Sequence, residues 1–101
     1  MPKYLTLGTL TQAGYDHMEE GPETVEQFID KINAMGGNFD GDDFYVLSGE
    51  YDWAAIVELP SDEAAARIAD SYARTGRGRM HSEVIVAQGP TGYEKYVDTL
   101  G

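Results

Sequence analysis

Two amphipathic stretches, each set between strand-like segments, constrain the fold of this 101-residue chain more than any motif does. Thr24–Met35 puts Val25, Phe28, Ile29, Ile32 and Met35 on one stripe at helical spacing. Thr24 with Gln27 fits a capping box, and Gly36-Gly37 supplies a left-handed stop. The second helix follows Pro60. Ser61 caps it, Asp62 and Glu63 suit the dipole of its first turn, and Gly76 stops it. Its apolar face is Ala64, Ala65, Ile68, Ala69 and Tyr72.

Four strands are expected around these helices: Lys3–Leu10, Phe44–Ser48, Trp53–Leu59 and Met80–Ala87. Thr11–Glu23 reads as a loop with at most a helical turn. Gly49-Glu50-Tyr51-Asp52 reads as the turn of an antiparallel hairpin. Gly89-Pro90 is expected to break the chain, and Tyr93–Leu100 to form a short amphipathic tail.

The resulting order, β-α-β-β-α-β, predicts an α+β fold of the ferredoxin-like kind over residues 1–101, a single domain with a four-stranded antiparallel sheet. Right-handed crossovers place both helices on one face of that sheet. Strand alternation sorts the residues. The greasier sets go under the helices: Leu5 and Leu7; Trp53, Ala55, Val57 and Leu59; Met80, Ser82, Val84 and Val86. Tyr4, Thr6, Ile56, Glu58, His81, Glu83 and Ile85 are left on the bare face. A mixed face of this kind closes by pairing with a second copy, giving a dimeric α+β barrel with a partly polar interior. A monomer with a solvated outer face is the alternative.

Composition narrows the function classes. The chain has 18 acidic and 7 basic residues, a net charge of −11, so phosphate backbones and anionic lipids would repel it. No nucleic acid or membrane partner is expected. The longest apolar run, Trp53–Val57, is too short to span a bilayer, and the N-terminus lacks a signal pattern. A cytoplasmic protein is the expectation. The absence of cysteine removes disulfides, thiolate metal sites and cysteine nucleophiles.

The candidate chemistry lies on the bare face. His81 and Glu83 point the same way on one strand, and Glu58 on another joins them. Such a group can act as base and orienter, or serve as a polar barrel wall, which is the blander reading. Asp16 and His17 in the first loop could extend it toward a metal, but nothing in the spacing requires one. No metal and no cofactor is expected. Arg74, Arg77 and Arg79 follow the second helix, where cations suit the dipole; an anion site is the sharper reading. Asp52, between Tyr51 and Trp53, either accepts backbone N–H groups in its own turn or orients a ligand at the barrel mouth. The turn role ranks first.

The segments "MPKYLTLGTLTQAG" (Met1–Gly14), "GEYDWAAIVELPSDEAAA" (Gly49–Ala66) and "GRGRM" (Gly76–Met80), with the double glycine at 36–37, resemble the GYD-domain proteins. That resemblance covers nearly the whole chain. It implies a small bacterial protein of ferredoxin-like fold and no agreed reaction. Tyr51-Asp52 carries the family name, with Glu50 inserted after Gly49. His81 departs from the family pattern, where an acid is more typical.

Together these point to a homo-oligomeric small-molecule-binding barrel protein. A cofactor-independent enzyme of the proton-abstraction, monooxygenase or isomerase type is one form of it. There His81 would be the base, Glu83 or Glu58 its orienter and Tyr4 the oxyanion donor, with Thr6, Asp52, Ile56, Ile85 and Arg79 lining the ligand site. The alternative is a non-catalytic structural or regulatory assembly module, in which the polar residues are interface hydrogen bonds. Whether the chain is an enzyme is open at this level.

Overall fold

The computed structural model describes residues 1–101. Its elements are β1 (Lys3–Leu10), α1 (Gln12–Asp16), a 3-10 turn (Met18–Glu20), α2 (Gly21–Ala34), β2 (Phe44–Val46), β3 (Trp53–Glu58), α3 (Asp62–Arg74), β4 (Gly78–Val84) and α4 (Gly89–Asp98). The four strands form one antiparallel sheet in the order β2-β3-β1-β4, the ferredoxin-like arrangement. No helix is long and apolar enough to cross a membrane.

Local chemistry accounts for the ends. Ser61 caps α3 by accepting the Ala64 N–H at 3.1 Å. Gly36 and Gly76 follow α2 and α3 with φ of +85° and +73°, a region that favours glycine. α2 begins earlier than the capping box suggests. Pro22 sits in its first turn, where the missing N–H costs nothing, and Thr24 Oγ1 instead donates back to Glu20 O at 3.0 Å. Gly89-Pro90 does not break the chain but opens α4, with Pro again in the first turn. Within the segment expected as loop, Thr11 caps α1 by accepting the Gly14 N–H.

The core lies between the sheet and the helices α2 and α3. Ile32 and Ile68 from the helices meet Trp53, Ala55, Val57 and Leu59 on and beside β3. β1 enters this core in the opposite phase to the sequence expectation. Tyr4 and Thr6 are buried under the helices, 3% and 1% exposed, while Leu5 and Leu7 face the other way, half-buried. Two contacts fix the phase. Gly8 pairs with Trp53, and a side chain at Gly8 would stand 1.9 Å from the indole, so only glycine fits under the ring. Tyr4 Oη donates to Asp62 Oδ1 at 2.6 Å, tying β1 to the start of α3. The buried Thr6 hydroxyl pairs with Ser82 Oγ at 2.9 Å, which satisfies it.

The opposite face therefore carries Leu5 and Leu7 at its centre, flanked by Ala54 and Ile56 of β3 and by His81 and Glu83 of β4. No element of the chain covers it. α4 also packs on nothing large: none of its residues is buried, and Tyr93 and Leu100 are 67% and 68% exposed.

Candidate functional site

The polar group expected on the bare face is split. Tyr4 and Thr6 lie on the helix side and cannot meet His81 or Glu83. Glu58 is on β3, which is separated from β4 by β1, and it pairs with Lys3 whereas Glu83 and His81 pair with Leu5 and Leu7, so two strand spacings and two to four residues of register set it roughly 12 Å and roughly 16 Å from them. Glu58 instead accepts from Asn38 Nδ2 at 2.9 Å, and with Ile56 it borders a hollow of about 170 Å³. His81 is exposed and meets the edge of Tyr51 at 6.0 Å between ring centroids. Glu83 and Arg79 are exposed, and Ile85 is half-buried beyond the end of β4. No group of three or more His, Asp or Glu side chains converges to hold a metal ion.

Of the expected ligand residues, Asp52 alone borders a large space. That space is a cleft of about 620 Å³ on the helix side, between α2, α3, the segment after β1 and the β2-β3 hairpin. Drug-sized ligands occupy volumes of this order. Its walls are mostly apolar, with Trp53, Phe28, Phe44 and Tyr72 as the aromatic lining and Leu10, Val25 and Met80 among the rest. The rings lock one another. Phe44 stacks on Trp53 at 5.5 Å between centroids, while Phe28 and Tyr72 meet it edge-on at 6.0 and 5.6 Å.

Polar groups converge at one corner. Asp52 follows the hairpin turn, yet its carboxylate does not serve that turn. Oδ2 accepts the Leu10 N–H at 2.6 Å, and Oδ1 accepts from the phenol of Tyr15 on α1. Beside it, Trp53 Nε1 donates to Tyr72 Oη at 3.3 Å. The hydrogen bond to Asp52 raises the Tyr15 pKa above its ordinary value. Burial pushes Tyr72 up; the indole hydrogen bond opposes this and the Asp52 charge adds to it. Both phenols thus hold their protons firmly. The rim is held by Lys31, whose Nζ reaches Ser71 Oγ on α3 at 2.7 Å, and by the Arg77–Glu20 pair at 2.9 Å.

The family model for the GYD domain matches residues 4–97. The chain belongs to the GYD-domain family. No curated protein and no solved structure matches it. The match takes in all four strands but for Lys3, and all of α4 but for Asp98, so Tyr51-Asp52 and the cleft both lie within the GYD domain.

Sequence reasoning missed Tyr15, Tyr72, Phe28 and Phe44 as neighbours of one space. They come from four separate elements, and each fits a helix stripe, a strand or a loop without further meaning. The one sequence signal was the Asp52-Trp53 pair, a carboxylate beside the chain's only tryptophan.

Proposed function

We propose that this GYD-domain chain is a self-associating small-molecule-binding protein whose ligand occupies the cleft between the helices and the sheet. The cleft carries the reading. It is large and mostly apolar with aromatic walls, and Asp52, Tyr15, Tyr72 and the Trp53 indole converge at one corner inside a polar rim, as ligand sites do. Self-association is supported by two unpartnered apolar surfaces: the half-buried Leu5, Leu7 and Ile56 on the open sheet face, and Tyr93, Tyr96 and Val97 along the C-terminal helix with Leu100 just beyond it. A ten-residue helix with no buried side chain is marginal in water and gains its stability from packing on something else.

The proton-abstraction chemistry expected from the sequence loses its oxyanion donor, because Tyr4 and His81 face opposite ways. Binding is therefore the reading adopted. An assembly module without a ligand is the second reading, and the same two surfaces favour it.

Titration with the uncharged fluorescent probe N-phenyl-1-naphthylamine separates the two. Saturable one-to-one binding is expected for the native chain and is lost in Val25→Trp, which fills the cleft. Absence of saturable binding in the native chain leaves the assembly module. A monomer in sedimentation at micromolar concentration removes self-association.

A further inference from the structure

Tyr72 and Asp52 have unequal and complementary hydrogen-bonding capacity left over. Tyr72 Oη accepts from the Trp53 indole, but its own proton finds no acceptor in the chain. Asp52 receives two neutral donors, Leu10 N–H and the Tyr15 phenol, and forms no ion pair. A carboxylate offers about four lone-pair positions, so about two remain. The corner thus presents one unspent donor and at least one unspent acceptor, beside the aromatic rings that hold Trp53 in place.

Resting on the reading of the cleft as a ligand site, we infer that it takes an uncharged, hydroxyl-bearing aromatic molecule. The hydroxyl accepts from Tyr72 Oη and donates to the Asp52 carboxylate, and the ring lies among Trp53, Phe44 and Phe28. A hydroxyl is the smallest neutral group that satisfies both partners at once. A carboxylate ligand has no proton to give Asp52 and would be repelled by it. The rim cations do not reverse this, since Arg77 is neutralised by Glu20 and Lys31 is exposed and turned to Ser71. An ammonium ligand has no lone pair to receive the Tyr72 proton and, by covering it, would leave that half-buried donor unpaired. An ether or plain hydrocarbon leaves Asp52 or both groups unanswered, and sites built to hydrogen-bond a hydroxyl discriminate against analogues that lack it.

The single indole N–H of Trp53 gives a direct readout, because it lies on the cleft floor and donates to Tyr72. Its cross-peak in a nitrogen–proton correlation spectrum is followed during titration with 2-naphthol, 2-methoxynaphthalene, 2-naphthoate and 2-naphthylmethylammonium. 2-Naphthol is expected to bind most tightly, about tenfold or more ahead of its methyl ether. Tyr72→Phe removes the donor that both oxygens accept from, so it should weaken naphthol and the ether alike, by about three- to tenfold, while the naphthol preference, which reports on Asp52, persists. If naphthoate or the ammonium binds as tightly as naphthol, the ligand class is wrong while the cleft stands. If the ether equals naphthol in the native chain, the assignment of Asp52 as the acceptor is wrong; if Tyr72→Phe weakens neither, the assignment of Tyr72 as the donor is wrong. If no probe shifts the indole, and N-phenyl-1-naphthylamine does not bind either, the cleft itself is not a ligand site.

Discussion

Tyr15 and Asp52 meet at the corner of the cleft, the phenol donating to Oδ1 while the same carboxylate takes the Leu10 N–H on Oδ2. One side chain at the start of β3 therefore secures both the end of β1 and the helix that follows it. Asp52→Ala would leave the part-buried Leu10 N–H without its partner, while the exposed Tyr15 phenol turns to water. A loss of about 1–3 kcal/mol is expected in urea unfolding, with faster amide exchange at Leu10. Asp52→Asn retains one acceptor and should lose less. Unchanged unfolding and exchange in Asp52→Ala would mean that the carboxylate does not hold this segment.

Gly8 is expected to tolerate no side chain. A Cβ there would lie 1.9 Å from Trp53 Cε2, deep in the core. Gly8→Ala should cost roughly 1–3 kcal/mol or more, as overpacked cores do. The loss should be partly recovered when Trp53→Leu is added, giving a strongly non-additive double-mutant cycle. Additive losses would separate the two residues.

Ile56→Lys introduces a charge on the open sheet face without touching the helix-side core. Burying isoleucine against a second copy contributes roughly 1.5–3 kcal/mol per copy, and an unpaired ammonium reverses the sign. Ile56→Lys, and a chain ending at Gln88 that lacks α4, are both expected to have a lower oligomer number in sedimentation than the native protein, the first keeping its far-ultraviolet dichroism and the second losing only the helical signal of α4. An unchanged oligomer number in both would place the interface elsewhere.

Alkaline pH should destabilise the fold. Four phenols have raised pKa values: Tyr4 by its hydrogen bond to Asp62, Tyr15 by Asp52, Tyr45 by Asp43 and Tyr72 by burial. The folded chain holds these protons more tightly than the unfolded chain, whose phenols titrate near 10.0. Their contribution is therefore complete below that pH and is lost as pH rises through the folded values. Unfolding midpoints should fall above pH 10.0, with part of the ultraviolet phenolate signal appearing only on unfolding. A flat midpoint across that range would contradict the assignment.

What was legible in the chain was local. Ser61, Asp62 and Glu63 announced the start of α3, and the stripes of α2 and α3 announced which sides they bury. The element order then gave the sheet. The phase of β1 was not legible, because its alternation is ambiguous: Leu5 and Leu7 are greasier than Tyr4 and Thr6. The choice is made by partners far along the chain, Trp53 needing the gap at Gly8 and Asp62 taking the Tyr4 hydroxyl. The cleft was illegible for the same reason. Tyr15, Phe28, Phe44 and Tyr72 become neighbours only after the hairpin, the helices and the segment after β1 have come together.

Trp53 belongs at once to the buried cluster and to the floor of the cleft. Occupancy and folding are consequently linked through one side chain. Any molecule that fills the space and is absent from the unfolded chain raises the unfolding free energy by RT ln(1 + [L]/Kd), roughly 2.7 kcal/mol at a hundredfold excess over Kd. In a domain of this size that corresponds to an upward shift in melting temperature of roughly 10–20 °C. Thermal stability can thus sort a chemical library for molecules that occupy the cleft without any knowledge of a reaction, and the GYD domain becomes its own assay.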